Sequence, residues 1–167
     1  MNHTSNIRIL AIASGGGHWI QLRRMRPAWD GCHVIYVTTN QGYSEEVFRD
    51  ALDRKQTMPM FYTIRDANRW QKFRLLMQLL QIFIILAKEH PDVVISTGAA
   101  PGFFAIRIGK MLGARTIWVD SIANGETLSL AGKKVGLHAD LWLTQWKELA
   151  GSELPDVGLP AFKGSVI

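Results

Sequence analysis

Ile7-Arg8-Ile9-Leu10-Ala11-Ile12-Ala13-Ser14-Gly15-Gly16-Gly17-His18-Trp19-Ile20-Gln21-Leu22-Arg23-Arg24-Met25 decides how the rest of this chain is read. An isoleucine-rich apolar run ends at Ser14 and a row of glycines, and the bulky residues from Trp19 to Met25 then recur at helical spacing. The order is strand, glycine turn, helix.

Outward from that stretch the same alternation repeats. Residues 33–38 read as a strand, residues 44–54 as a helix with Ser44 as its N-cap, and residues 60–64 as a strand. Residues 68–89 read as one long helix ended by His90-Pro91, after which Val93-Val94-Ile95 forms a strand running into Ser96-Thr97-Gly98. Pro101 suits the first turn of a further helix reaching Leu112, Gly113 closes it, and residues 116–119 make a strand that ends at Asp120. Nearly continuous apolar strands separated by helices predict an α/β fold, a Rossmann-like, doubly wound, mostly parallel sheet covered on both faces. Ligands of such sheets bind beyond the carboxyl ends of the strands, which predicts a site built from the loops at 14–18, 38–42, 96–102 and 120–126.

The chain has 167 residues, 47% apolar and 20% charged, the make-up of one globular domain spanning 1–167. Its 19 Lys and Arg against 14 Asp and Glu leave a charge of +5, which favours an anionic partner: nucleic acid, phospholipid head groups or a pyrophosphate. The 6 Trp are scattered through apolar segments, and no reading helix, zinc finger or RNP-like strand is present, so nucleic acid is not expected. Cys32 alone builds neither a disulfide framework nor a thiolate metal cluster, which fits a reducing, cytoplasmic setting. His33, His90 and His138 have no metal-ligand spacing, so neither a metal nor a cofactor is expected. The polar start of the chain lacks the features of a signal peptide.

Glycines between a strand and a helix allow a tight turn and present bare N–H groups beside the positive end of the helix dipole, a natural seat for phosphate. The alternative is that they serve the turn alone. His18-Trp19 stands where a Walker A loop has its Lys and Ser or Thr, and Gly15-x-Gly17 lacks the third glycine of a dinucleotide fingerprint, which disfavours ATP and NAD. His18, at the helix start, is a candidate base for a sugar hydroxyl, or else a hydrogen-bonding orienter. Asp120 and Glu126 are carboxylates on the same rim, able to orient a hydroxyl, to hold His18 in one tautomer, or to serve as helix caps.

Between Phe73 and Ala87 only Arg74, Gln78 and Gln81 are polar, and Arg65, Arg69, Lys72 and Arg74 form a basic cluster at the start of the segment. The run is shorter than the ~20 residues that cross a bilayer, so it either lies on the membrane surface, touching it through Arg69, Lys72, Phe73, Leu76 and Leu80, or is buried in the protein. The apolar tail, Leu159 through Phe162 and Val166 to Ile167, shows little helical or strand context of its own and is expected to pack on a partner.

Taken in order, Ser14-Gly15-Gly16-Gly17-His18, then Ser96-Thr97-Gly98 with Pro101-Gly102, then Val119-Asp120-Ser121 followed by Glu126-Thr127-Leu128-Ser129-Leu130-Ala131-Gly132-Lys133, resemble the Alg14/PssD family. Ala139-Asp140-Leu141 and Gln145-Trp146-Lys147-Glu148-Leu149 extend the resemblance over nearly the whole chain. It implies the N-terminal half of a GT-B glycosyltransferase, similar to the acceptor domain of MurG, whose nucleotide-sugar half is a separate Alg13/PssE-like subunit. It also implies an inverting, metal-independent hexosyltransferase, inactive without its partner. A sugar would pass from a UDP-sugar to a polyprenyl-diphosphate-linked saccharide, in surface polysaccharide or lipid-linked oligosaccharide synthesis, peripherally on the cytoplasmic face of the cell membrane. In that scheme His18, Asp120 and Glu126 are the catalytic candidates, and Ser14, Gly15, Gly16, Gly17, Thr97, Gly98 and Gly102 bind the acceptor diphosphate. Trp146, Phe162, Val166 and Ile167 would meet the partner. The N-terminal transmembrane anchor of eukaryotic members has no counterpart in this sequence, which looks like the bacterial form. Two other readings are a non-catalytic membrane scaffold that recruits a glycosyltransferase, and a free-standing Rossmann-type nucleotide-binding enzyme.

Overall fold

The computed structural model describes residues 6–67, 70–136, 138–151 and 158–166. Its strands are β1 (Arg8–Ala13), β2 (His33–Thr38), β3 (Met60–Thr63), β4 (Val93–Ser96), β5 (Arg115–Val119), β6 (Leu141–Thr144) and β7 (Ala161–Phe162). The helices are α1 (Gly17–Arg24), α2 (Ser44–Asp53), α3 (Lys72–Glu89), α4 (Ala99–Met111) and α5 (Leu130–Val135). The strands form one seven-stranded sheet in the order β3-β2-β1-β4-β5-β6-β7, and every pairing is parallel. Strand order therefore reverses between β1 and β4, the topological switch point of a doubly wound sheet.

Side chains alternate across the sheet, and each set meets a different helical layer. Leu10, Ile12, Ile35, Val37, Val94 and Trp118 join Ile82, Leu86 and Ile106 in one core, beneath α3 and α4. Ile9, Ala11, Tyr36 and Val119 join Trp19, Leu22, Trp29 and Val47 in the other, beneath α1 and α2. Helix α4 lies close on the sheet because it presents Gly102, Ala105 and Gly109 to it. A Cβ at Gly102 would stand 2.9 Å from the Ser96 Cβ and 3.3 Å from the Trp118 ring, and one at Gly109 would stand 2.8 Å from a Val94 methyl. Gly102 is thus a buried packing residue, which corrects its expected place in a diphosphate site.

Helix α3 turns two amides inward while keeping large apolar side chains in water. Gln78 and Gln81 face inward: the Gln78 amide donates to the Arg65 carbonyl at 2.7 Å, and the Gln81 side-chain oxygen accepts from the Arg65 N–H at 3.0 Å. Glu89, buried at its end, accepts from Arg8 of β1 and from the Tyr62 hydroxyl of β3, both at 2.6 Å. One apolar stripe, with Ile82, Ile85 and Leu86, is buried in the core, and another is left in water, with Phe73 71%, Leu76 60%, Leu80 47% and Ile84 54% exposed. The helix begins at Lys72, later than residue 68, and Asn68 and Arg69 lie outside the described residues. No helix among the described residues is long and apolar enough to cross a membrane.

Smaller corrections follow from local chemistry. Ser44 is the first residue of α2 and Tyr43 precedes it, without a side-chain cap. The tail has strand context: Ala161–Phe162 adds β7 to β6, the Ser165 hydroxyl donates to the Gln145 carbonyl, and the Val166 N–H donates to the Gln145 side-chain oxygen. Asp140 locks the approach to β6 onto β5 by accepting from the Thr116 N–H at 2.8 Å and the Thr116 hydroxyl at 2.9 Å. The bond from Lys110 holds the Asp140 carboxyl below its usual range, with help from Thr116, so this lock persists until acid protonates the carboxylate.

The close seat of α4 gives the first prediction. Gly102→Ala and Gly109→Ala should each destabilise the fold by about 1–3 kcal/mol, read from urea unfolding midpoints. Midpoints unchanged in both variants would mean that α4 does not rest on Ser96 and Val94.

Candidate functional site

Strand β1 runs into Ser14 and the glycine turn, and β4 runs into Thr97 and Gly98, so both turns open onto the crevice at the switch point. His18 spans that crevice. Its Nδ1 lies 2.9 Å from the Thr97 carbonyl, and the Thr97 hydroxyl donates to the His18 carbonyl at 2.7 Å. A carbonyl only accepts, so Nδ1 carries a proton, and in the neutral ring Nε2 keeps the lone pair that can take one. Among the described residues Nε2 has no hydrogen-bond partner. Gly98 is required beside it: its φ is +142°, and a Cβ there would stand 2.4 Å from the imidazole.

The amides of the first turn are not all bare. The Gly15 N–H donates to the Thr39 hydroxyl at 3.0 Å, and the Gly16 N–H donates to the Tyr43 hydroxyl at 3.1 Å. Both acceptors come from the loop after β2, the next strand of the sheet. The expected cradle of Gly15, Gly16 and Gly17 amides is corrected at Gly15 and Gly16, whose N–H groups are taken. The Gly98 N–H is likewise taken, donating to the Ser96 hydroxyl at 3.2 Å, and Pro101 has no N–H, so the donors left for a ligand are the first-turn amides of α1 and those of Ala99 and Ala100 in α4.

Asp120 is drawn into its own loop. One carboxylate oxygen accepts from the Ser129 hydroxyl at 2.6 Å and the Ser121 N–H at 3.1 Å, and the other accepts from the Ser129 N–H at 2.9 Å. Ser129 in turn caps α5 by accepting from the Gly132 N–H at 2.8 Å. Hydrogen bonds to a buried carboxylate contribute about 1.5–3 kcal/mol each, so Asp120 holds the 121–132 loop in shape. It does not hold His18, whose tautomer is set by Thr97, and this corrects its expected catalytic part. Glu126 is exposed in an open groove formed with Ile122, Asn124 and Trp146. The Trp146 indole N–H donates to the Ile122 carbonyl at 2.8 Å and its half-buried ring backs Gly125, so this side chain supports the loop. Phe162 and Val166 are half-buried in the β7 region, and Ile167 lies outside the described residues.

Sequence reading gave no individual role to Gln21, Gln145, Thr39 or Tyr43. Gln21 and Gln145, both buried, donate to the Asp120 carbonyl at 3.1 and 3.2 Å, and Gln21 also accepts from the Ile122 N–H at 3.1 Å. A glutamine between Trp19 and Leu22 was the available signal for Gln21. Together, Thr97, His18, Gln21 and Asp120 join three strand-end loops into one rim. Among the described residues no cluster of His, Cys, Asp and Glu suits a metal ion.

No family model matches the chain. Over 86% of its length the chain is 25% identical to the human UDP-N-acetylglucosamine transferase subunit ALG14, of which it covers 77%. Among solved structures, MurG of Acinetobacter baumannii superposes on 93% of the chain with a TM-score of 0.66 at 13% identity. UDP-N-acetylglucosamine 2-epimerase of Rickettsia bellii superposes on 97% with a TM-score of 0.64 at 16% identity. The chain spans 45% of that MurG and 46% of that epimerase, a likeness of fold. In sequence the chain is Alg14-like, and in fold it is the N-terminal half of a GT-B architecture.

Proposed function

We propose that this chain is the acceptor-binding and membrane-binding subunit of a two-component glycosyltransferase. An Alg13/PssE-like subunit supplies the UDP-sugar, and the acceptor is a polyprenyl-diphosphate-linked saccharide. The observation that carries the reading is the imidazole of His18, fixed across the switch-point crevice with Nε2 unpartnered, between the N-termini of α1 and α4. The diphosphate sits against the first-turn amides of those helices, around Gly17 and Ala99, and His18 Nε2 takes the proton of the acceptor hydroxyl as it attacks the anomeric carbon. Glu126, on the rim, orients that hydroxyl. The nucleotide diphosphate leaves on the partner's side, and the one-step displacement inverts the sugar.

Topology supports the membrane half of the reading. Helix α3 starts at the carboxyl edge of the sheet, where the glycine turns open, and packs beside α4. Lys72 and Arg74 stand exposed in its first turn, followed by the exposed Phe73, Leu76 and Leu80. Basic residues meeting anionic head groups, with apolar residues below them, describe a surface-lying helix. A polyprenyl chain held in the same leaflet then brings its diphosphate to the crevice, on the inner face of the cell membrane. The half-buried β7 tail, with Phe162 and Val166, is the proposed contact for the partner subunit.

Two outcomes check these assignments. His18→Asn keeps a donor for the Thr97 carbonyl but has no basic nitrogen, so turnover of the assembled complex should fall by about 10²–10⁴-fold. Full turnover would reduce His18 to an orienter and favour a scaffold role. Leu76→Glu with Leu80→Glu should lower binding to phosphatidylglycerol vesicles by about tenfold or more, because each apolar side chain fully withdrawn from water contributes about 1.5–3 kcal/mol. Undiminished flotation with the vesicles would remove α3 from the membrane contact.

A further inference from the structure

On the β2 side two hydroxyl groups, of Thr39 and Tyr43, meet the glycine turn, and the second is held by a stacked ring. The Tyr43 ring lies flat on Trp19, with centroids 5.2 Å apart and planes 9° from parallel. Trp19 is itself fixed, 1% exposed, with Tyr36 and Phe61 against it edge-on. The Tyr43 hydroxyl is thereby delivered to the Gly16 N–H at 3.1 Å, at a solvent-exposed position. Packing needs only the ring, and in such a place water would satisfy the amide equally well.

We propose that Tyr43 is a positioning residue for the acceptor diphosphate, relaying the Gly16 amide outward. A phenol that accepts from an N–H still has its own proton to give, and accepting polarises the hydroxyl and strengthens it as a donor. Among the described residues that proton has no acceptor. A phosphoryl oxygen seated at the N-terminus of α1 takes it, so recognition on this side passes from backbone N–H through the phenol to the ligand. Thr39 repeats the arrangement at Gly15, accepting its N–H at 3.0 Å with its own proton free of any described partner. The inference rests on the acceptor-site reading given above and adds a named side chain to it.

The test is calorimetric titration of the full chain with farnesyl diphosphate, and in a parallel arm with UDP, for the parent, Tyr43→Phe, Tyr43→Ala and Gly16→Val. Tyr43→Phe keeps the stack on Trp19, so its thermal midpoint should match the parent while its affinity for farnesyl diphosphate falls about tenfold, as for a lost hydrogen bond to a charged group. A structural role alone predicts parental affinity for Tyr43→Phe and loss only for Tyr43→Ala, which would overturn the inference. If Gly16→Val weakens farnesyl diphosphate and Tyr43→Phe does not, the acceptor-site reading stands and the Tyr43 relay falls. If no variant weakens it, or the parent does not bind it, both fall. Loss confined to the UDP arm would assign the hydroxyl to the nucleotide diphosphate and overturn the acceptor assignment.

Discussion

The reciprocal pair between His18 and Thr97 is the constraint on which the rest of the site depends. Two hydrogen bonds, at 2.9 and 2.7 Å, join the turn after β1 to the turn after β4 across the one place where the sheet reverses direction. They fix the protonated nitrogen of the imidazole, leave the other nitrogen available, and force a glycine at position 98 because the ring occupies the space of a Cβ. The pair also sets the distance between the N-termini of α1 and α4. Gln21, one turn along α1, extends the connection to the Asp120 carbonyl at the end of β5, so the rim behaves as a single piece.

A second constraint acts on the opposite layer. Buried amides and carboxylates must be satisfied, and in α3 that demand overrides the ordinary rule that apolar residues turn inward. Gln78, Gln81 and Glu89 are bound by the Arg65 backbone, Arg8 and Tyr62, so the helix is held with one apolar stripe against the core and another in water. An exposed stripe of this length is a liability in a free monomer and an asset at an interface. Its position beside α4 would couple the proposed membrane-facing surface to the proposed site for a lipid-linked ligand.

Much of this was legible in the sequence because parallel strands buried on both faces advertise themselves as apolar runs. The boundaries of β2 match expectation, and β1, β4 and β5 differ from it only at their ends. Helix α5 and strands β6 and β7 went unread: α5 is a short helix whose only signal was a Ser129 cap, and β6 and β7 are short. The glycines illustrate the limit most clearly. Gly98 and Gly102 look alike on paper, yet one yields to the His18 ring and the other to Ser96. The inward turn of Gln78 and the engagement of the Gly15 and Gly16 amides depend on partners distant in sequence, Arg65, Thr39 and Tyr43, and no local pattern carries them.

The central claim is that half of a transferase resides in this chain and the donor half resides elsewhere. Its most direct measurement is sugar transfer from a panel of UDP-sugars to polyprenyl-diphosphate-linked acceptors, comparing this chain, an Alg13/PssE-like subunit, and the two co-expressed. The account predicts transfer by the pair and none by either subunit alone. Transfer by this chain alone, or by the other subunit at the full rate without it, would contradict the account.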